Sequence, residues 1–460
     1  MSEWRPLLAG TAAEAAWRAI EDIAAALPCE GSGGGRDERT AAGAGGEGAA
    51  GEAAGSAGGG EGGAAGVPEI GFPGVAGGIA GQALFFAYLA LHGGAEAHVE
   101  TAADLLGKAT EALASVPMGP GLYSGFSGVA WAAEHLGRRL FAEELATAEE
   151  DPQGEIDEAL LSYLGQSPWT GDYDLINGLT GLGVYALERL PRPSAAACLR
   201  QVIERVDELA VRTPEGVTWF TAPELLPEWQ RVIFPHGNYN LGVAHGVPGT
   251  IALLAGACAA GVEAERARQL AEGAVNWMLG KRLEPESGSC FPYSFAPDVP
   301  AAKSRLAWCY GDPGIAAALF TASRACGNPG WKREATAIGL DAAARPAAVS
   351  GVRDAGLCHG AAGVAHLFNR MHQASGEERL AEAARFWVEH ALALRQPGEG
   401  VAGFRAMWVE EDSEQWRSDP GFLEGAAGIG LALLAAVSPI EPDWDRLLLL
   451  STPPRPPSGG

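Results

Sequence analysis

Seven stretches of about ten apolar residues alternate along the chain with longer amphipathic stretches. Each apolar stretch begins with a Gly-x-x-Gly step, at Gly78, Gly125, Gly178, Gly246, Gly311, Gly360 and Gly425. A stretch that is apolar all round predicts a buried helix, whereas a one-sided apolar stripe predicts a helix that faces solvent. Stretches of the second kind lie at 195–211, 263–283 and 377–394. The pattern therefore predicts repeated hairpins, each with one buried and one amphipathic helix.

The steps recur at intervals of roughly 50 to 70 residues, which is typical of stacked or ring-shaped repeat folds. An open solenoid would need polar capping repeats at its ends, and no repeat here has that character. We therefore expect an all-α fold, a double α/α toroid (an α/α-barrel) with seven inner and seven outer helices, in preference to an open solenoid. Glycine at each step permits a sharp turn and a close approach between helices.

Two segments before the first repeat have a different character. Residues 4–27 carry apolar residues at helical spacing and predict a short amphipathic helix. Residues 31–66 consist mainly of Gly, Ala, Ser and Glu, a composition typical of a flexible linker. The predicted organisation is an N-terminal helical segment (1–29), a Gly/Ala-rich linker (30–67), a toroid domain (68–440) and a C-terminal tail (441–460).

Composition limits the classes of partner. The chain has 460 residues, of which 47% are apolar, and a formal net charge of −25. Binding to nucleic acid through phosphates needs a basic face, so that class of partner is not expected. The N-terminus lacks the features of a signal peptide, and no apolar run is long enough to span a membrane. The seven cysteines are odd in number and scattered, which favours a reducing, cytoplasmic location.

Residues just before the motif glycines supply the candidate chemistry. If the inner helices are parallel, these positions meet at one mouth of the ring, and they include Asp174, His245, Cys309, Cys358 and His359. Consecutive repeats are neighbours, so Cys309 should meet Cys358 and His359. Two thiolates and an imidazole suit Zn²⁺, and three protein ligands with an open fourth position are typical of catalytic zinc. A Cys-His pair is more often a packing feature, and only its shared place in the repeat favours the metal.

A zinc ion with two thiolate ligands and an open position suits the activation of a thiol, so alkylation of a cysteine is the natural reaction class. His245 could then move protons, and Asp174 could orient that histidine or act as an acid or base itself. Arg305 could stabilise a developing oxyanion, and Tyr310 could donate a hydrogen bond.

Three segments resemble the lanthionine cyclase family, LanC: AHGVPG (244–249), AWCYGDPG (307–314) and LCHGAAG (357–363). The segments YDLINGLTG (173–181), FLEGAAGIGLALL (422–434) and WDRLLLLS (444–451) fit the same family. The resemblance extends from about residue 74 to the C-terminus. It implies a double α/α toroid with one zinc ion at its mouth. The implied zinc ligands are Cys309, Cys358 and His359, and the implied active-site residues are His245, Asp174, Arg305 and Tyr310.

The resemblance also implies a substrate and a reaction. The substrate would be a precursor peptide in which a separate dehydratase has converted Ser or Thr to dehydroalanine or dehydrobutyrine. Cysteine thiols of that peptide would add to these alkenes and close lanthionine or methyllanthionine rings. The length of the chain suggests a stand-alone cyclase. The chain departs from the family at Asp312, where many relatives carry a basic residue. We therefore expect a change of charge near the zinc ion at the mouth of the toroid.

Two other functions remain open at this point. A LanC-like enzyme could add glutathione or another thiol to dehydrated proteins with the same site. Alternatively, the toroid could be a non-catalytic peptide-binding scaffold with a structural zinc ion. The presence of Asp174, His245, Arg305 and Tyr310 together disfavours the scaffold, which would not need them.

Overall fold

The structure is a computed structural model, and it describes residues 4–27, 72–143, 151–410 and 413–451. The described helices are α1 (Gly10–Ala26), α2 (Ile79–Gly93), α3 (Glu96–Ala112), α4 (Phe126–Leu140), α5 (Gly154–Leu164), α6 (Leu179–Arg189), α7 (Pro193–Leu209), α8 (Glu228–Ile233), α9 (Val247–Ala260), α10 (Ala264–Leu279), α11 (Asp312–Cys326), α12 (Pro329–Ala343), α13 (Ala361–Ser375), α14 (Glu378–Ala393) and α15 (Ala426–Val437). Short strands form three antiparallel pairs: β1 (Val211–Thr213) with β2 (Gly216–Thr218), β3 (Tyr239–Asn240) with β4 (Ser294–Phe295), and β5 (Ala406–Glu410) with β6 (Ser413–Arg417).

The helices α2, α4, α6, α9, α11, α13 and α15 form a closed inner ring. Each begins at the residue after the first glycine of a motif, so the seven steps mark the N-terminal boundaries of these helices. Each helix packs on the next, and α15 packs on α2, which closes the circle. The predicted all-α toroid is therefore confirmed, and the open solenoid is wrong.

The outer layer pairs one helix with each inner helix. Within the described residues, α3, α5, α7, α10, α12 and α14 follow the first six inner helices along the chain. The seventh outer position is taken by α1, which packs against α15 and α14. The indole Nε1 of Trp4 donates to the carbonyl of Ala435, 2.9 Å away, and ties the N-terminal segment to this ring. The predicted linker, residues 30–67, lies outside the described residues.

Both glycines of a motif are required by close contact with the loop that precedes the helix. A Cβ atom on Gly360 would lie 2.1 Å from the amide nitrogen of Gly356, and one on Gly363 would lie 1.9 Å from the carbonyl oxygen of Leu357. No side chain fits at such distances. The glycines therefore allow the loop to fold back over the first turn of each inner helix.

Backbone hydrogen bonds link successive loops around the mouth of the ring. The amides of Leu357 and Cys358 donate to the carbonyl of Leu423, at 2.8 and 2.9 Å. The amides of Phe422 and Leu423 donate in turn to the carbonyl of Ala76, at 2.7 and 2.9 Å, and so join the last repeat to the first. Each loop is thus held in the same register relative to the next, and equivalent positions of neighbouring repeats lie side by side.

Long connections are found at the mouth, and short ones at the opposite end. At the opposite end, the links 94–95, 327–328 and 376–377 join an inner helix directly to its outer helix. At the mouth, the connections 210–246, 280–311 and 394–425 are long and carry the β-strand pairs and α8. Loops that can contact a large substrate are therefore concentrated where the candidate chemistry lies. None of the described helices is long and apolar enough to cross a membrane.

The C-terminal segment lies within the ring, which differs from the expected tail beyond residue 440. The carbonyls of Leu447 and Leu448 accept hydrogen bonds from Tyr123 Oη (2.8 Å) and Trp308 Nε1 (2.9 Å), which belong to the loops of the second and fifth repeats. Asp445 contacts His366 of α13 at 2.8 Å. A segment that reaches repeats on both sides of the ring must occupy its centre. Its leucines are buried there, because the inner helices alone leave an apolar space unfilled.

Removal of the Trp444 side chain should destabilise the protein by about 3–5 kcal/mol, because it would leave a cavity inside the ring. Trp444 is only 1% exposed, and its ring stacks on His366 with centroids 4.7 Å apart. Trp416→Ala, at a position that is 41% exposed on β6, is the matched control and should cost little. Denaturant unfolding of both variants checks this, and equal losses of free energy would contradict the assigned place of the segment.

Candidate metal centre and active site

The two cysteines of the candidate metal centre occupy the same position in neighbouring repeats, two residues before the first motif glycine. The amides of Trp308 and Cys309 donate to the carbonyl of Cys358, at 3.0 and 3.3 Å, and this contact holds the two loops together. Ligand atoms of Cys309, Cys358 and His359 all lie within 4.8 Å of one another. All three residues are buried. The structure therefore brings together the three predicted zinc ligands.

The donor set fits a zinc ion. Two sulfur atoms and one imidazole nitrogen form a soft to borderline set, and three protein ligands leave one coordination position for a substrate. The Nδ1 atom of His359 is buried and has no hydrogen-bond partner among the described residues. A buried nitrogen without a partner is costly unless something else occupies its lone pair, and a metal ion would do so.

The surroundings of Cys309 favour the thiolate. A hydrogen bond from the Cys358 thiol holds the pKa of Cys309 well below its usual range, and the nearby Arg305 guanidinium lowers this pKa further. The Nη2 atom of Arg305 lies 3.7 Å from the Cys309 sulfur. Because a metal binds the deprotonated thiol, this pKa shift makes the site ready to accept a cation.

His245 and Asp174 form a hydrogen-bonded pair on the same rim. The Nδ1 atom of His245 lies 2.5 Å from Asp174 Oδ2. The other carboxylate oxygen of Asp174 accepts the amides of Asn177 (2.8 Å) and Gly178 (2.9 Å), which fixes the carboxylate at the start of α6. With Nδ1–H donated to Asp174, the Nε2 atom of His245 remains available for proton exchange.

The pKa of His245 is raised above its usual value. Burial alone would lower this pKa, but the hydrogen bond and the negative charge of Asp174 outweigh burial. The side chain of His245 is still 25% exposed, so it can reach a bound molecule. The pair thus presents an imidazole that holds its proton to a higher pH than a free histidine would.

Tyr310 connects the histidine to the metal centre. Its ring stacks on that of His245, with centroids 5.7 Å apart and an interplanar angle of 19°. Its Oη atom accepts a hydrogen bond from Asn240 Nδ2, 3.1 Å away, and burial raises the pKa of the phenol. Tyr310 follows Cys309 in sequence and therefore places the His245 imidazole beside the metal centre.

Arg305 stands where most other repeats have a structural side chain. Six residues before the first motif glycine, four repeats carry Asp or Asn, and each of these side chains accepts the amide two residues further on: Asp172, Asn240, Asp354 and Asp419. In the fifth repeat this position is Arg305, which cannot accept such a bond and extends toward Cys309 instead. The exchange of a turn-forming residue for arginine is consistent with a role at the site.

Asp312 does not add a free charge to the mouth, contrary to the expectation from sequence. Its carboxylate is fully buried, where it accepts the amides of Cys290 (2.9 Å) and Phe291 (3.0 Å). It also forms an ion pair with Arg345. The charge of Asp312 is therefore balanced within the fold, where it anchors the loop of residues 290–291.

Two further polar residues at the site were not singled out from the sequence. Glu424 precedes the first glycine of the seventh motif, and Asn240 is the partner of Tyr310. The signal was present in the repeat, because Glu424 holds the same position as His359, Tyr310 and His245. Reading that position around the whole ring would have found it.

The chain is similar to one known protein family and to several solved structures. Residues 73–449 match the family described as lanthionine synthetase C-like protein. The structure is similar to that of nisin cyclase, with a TM-score of 0.66, 20% sequence identity and coverage of 83% of this chain and 93% of nisin cyclase. A D-mannose isomerase matches with a TM-score of 0.40 and 11% identity, over 66% of this chain and 86% of the isomerase. No curated protein sequence matches the chain.

Proposed function

Because the chain belongs to the lanthionine synthetase C-like family, we propose that it is a zinc-dependent lanthipeptide cyclase. In this reaction, cysteine thiols of a peptide add to dehydroalanine or dehydrobutyrine and form lanthionine or methyllanthionine rings. The observation that carries the proposal is the arrangement at the mouth of the toroid. Three buried side chains that could hold a metal ion lie beside a hydrogen-bonded His–Asp pair and an arginine.

The proposed reaction forms one bond and moves one proton. The sulfur of a peptide cysteine forms a bond to the β-carbon of the alkene, and the electrons of the double bond move toward the α-carbon and its carbonyl oxygen. A proton then adds to the α-carbon, so the thiol proton is replaced by a new C–H bond and no atom is lost. A zinc ion held by Cys309, Cys358 and His359 would lower the pKa of the substrate thiol and keep its sulfur nucleophilic.

We assign the proton transfer to His245. Its raised pKa favours the imidazolium, which can donate the proton that the α-carbon requires. Asp174 accepts a hydrogen bond from Nδ1 of the imidazole, and Nε2 is then free to exchange this proton. Arg305 is the cation available to stabilise the negative charge that develops on the carbonyl oxygen. Tyr310 orients His245 by stacking and can donate a hydrogen bond from its phenol.

The proposed substrate is a dehydrated precursor peptide supplied by a separate dehydratase. Such a peptide is larger than the metal centre and needs a surface at the mouth, where the long connections of the fold lie. No contact among the described residues favours glutathione as the thiol or a purely structural metal ion.

Replacement of Asp174 by asparagine should shift the pH dependence of the rate. Asp174 raises the pKa of His245, so the rate of the wild type should fall as pH rises through that raised pKa, when the imidazolium loses its proton. In Asp174→Asn the pKa is lower, and the fall should occur about one pH unit or more earlier. Steady-state rates across pH measure this. A rate that rises over the same range would instead assign His245 the role of base.

A dehydrated precursor peptide tests the proposed function. Cyclisation leaves the mass of the peptide unchanged, so the free thiols must be counted by alkylation followed by mass spectrometry. We expect thiols to disappear faster with the protein than without it when the peptide is cognate. A parallel incubation with glutathione and the same peptide should show little adduct. Adducts that outnumber rings would assign the protein to the glutathione-adding class.

A further inference from the structure

Glu424 lies next to the proposed zinc ligand His359 because the two residues hold the same position in neighbouring repeats. Both residues directly precede the first glycine of their motifs, in the seventh and sixth repeats. The amides of Leu357 and Cys358 donate to the carbonyl of Leu423 and hold the two loops in register. Equivalent side chains of the two loops are therefore adjacent, and the carboxyl group of Glu424 is placed beside the imidazole.

The contact joins a carboxyl oxygen that lacks a partner to the imidazole of His359. Glu424 Oε2 lies 3.5 Å from His359 Nε2. This oxygen is buried and has no hydrogen-bond partner among the described residues. The separation is slightly longer than a good hydrogen bond, and a small rotation of the glutamate side chain would close it.

A second carboxyl group near His359, that of Asp354, accepts hydrogen bonds from the backbone. Ligand atoms of Asp354, His359 and Glu424 all lie within 4.8 Å of one another. Its Oδ1 atom accepts the amide of Gly356 at 3.1 Å, and its Oδ2 atom accepts the amide of Met407 at 3.0 Å. Asp354 therefore stabilises its own turn and strand β5, and Glu424 is the carboxyl group free to accept a bond from the imidazole.

We propose that Glu424 is a positioning residue for the metal centre: it accepts the Nε2–H of His359 and so fixes the tautomer that leaves Nδ1 free for zinc. This inference rests on the metal site of the proposed function. A neutral imidazole carries its proton on one nitrogen only, and Nδ1 is the nitrogen that lacks a partner. A carboxylate behind a metal-binding histidine orients its ring and increases its basicity.

Zinc affinity of the full-length protein tests the inference. Competition with a chromophoric chelator at neutral pH should show that Glu424→Ala binds zinc about 10–100-fold more weakly than the wild type. Glu424→Gln retains an oxygen that can accept the Nε2–H, so its affinity should lie closer to the wild type. Asp419→Asn is the matched control, because it changes a carboxylate of the same loop that accepts the Gly421 amide and does not contact His359.

Cobalt(II) substitution gives a second readout that does not depend on activity. The absorption bands of the bound cobalt report ligand geometry, and Glu424→Ala should shift them while Asp419→Asn should not. Thermal unfolding of the metal-free variants shows whether a variant has lost its fold instead. An affinity of Glu424→Ala equal to that of the wild type, or one of Glu424→Gln as low as that of Glu424→Ala, would overturn the positioning role. A wild type that binds no zinc would contradict the proposed metal site itself.

Discussion

Cys309→Ala should contain almost no zinc, whereas the wild type should contain about one zinc ion per chain. The substitution removes one of three protein ligands, and it also removes the thiolate that Arg305 stabilises. Cyclisation should be lost with the metal, because the substrate thiol would keep its ordinary pKa. Metal analysis of the purified protein measures the first effect, and the thiol-counting assay measures the second.

Cys326→Ala is a suitable control for this experiment. Cys326 is a partly buried free cysteine at the C-terminal end of α11, the end of that helix opposite the mouth. Its loss should leave zinc content and rate unchanged. If Cys309→Ala retains the zinc content of the wild type, the assignment of Cys309 as a ligand is wrong.

His245→Ala should keep its zinc but lose about 10²–10⁴-fold in the rate of ring closure. The imidazole is hydrogen-bonded to Asp174 and lies against Tyr310, so its removal takes away the proposed proton donor without removing a metal ligand. Metal analysis and single-turnover rates on the same preparation separate the two effects.

His372→Ala controls for the loss of an imidazole elsewhere. His372 is on α13, where its Nδ1 atom is bonded to the carbonyl of Glu377 on the exposed side of the protein. Its rate should match that of the wild type. A His245→Ala protein that closes rings as fast as the wild type would remove His245 from the proton transfer.

The ring and its mouth could be predicted because the repeat appears directly in the sequence. Backbone contacts as close as 1.9 Å at Gly363 exclude every side chain, so the glycines recur at each inner helix and mark its start. The backbone bonds between loops depend on the same register, and so Cys309 and Cys358, which share a position, become neighbours. The steric requirement for glycine thus marks the register of each repeat in the sequence, and this register locates the candidate metal ligands.

Other features depend on contacts between residues far apart in sequence. The place of Asp445 and the following leucines inside the ring follows from bonds to Tyr123, Trp308 and His366, which no local pattern reveals. The balance of Asp312 by Arg345 is of the same kind. The N-terminal segment packs on α15 through the hydrogen bond between Trp4 and Ala435, which lie 431 residues apart in the chain. Such pairings become visible only when the ring is closed.

Ring closure in deuterium oxide tests whether this protein catalyses the proposed thiol addition and the proton transfer that follows it. A cognate dehydrated peptide is incubated with the wild type, with His245→Ala and without protein, and thiol loss and mass are followed together. We expect the wild type to consume thiols fastest and each ring formed to gain a deuterium at its α-carbon. Thiols that disappear no faster with the wild type than in its absence would contradict the assignment of this protein as a cyclase.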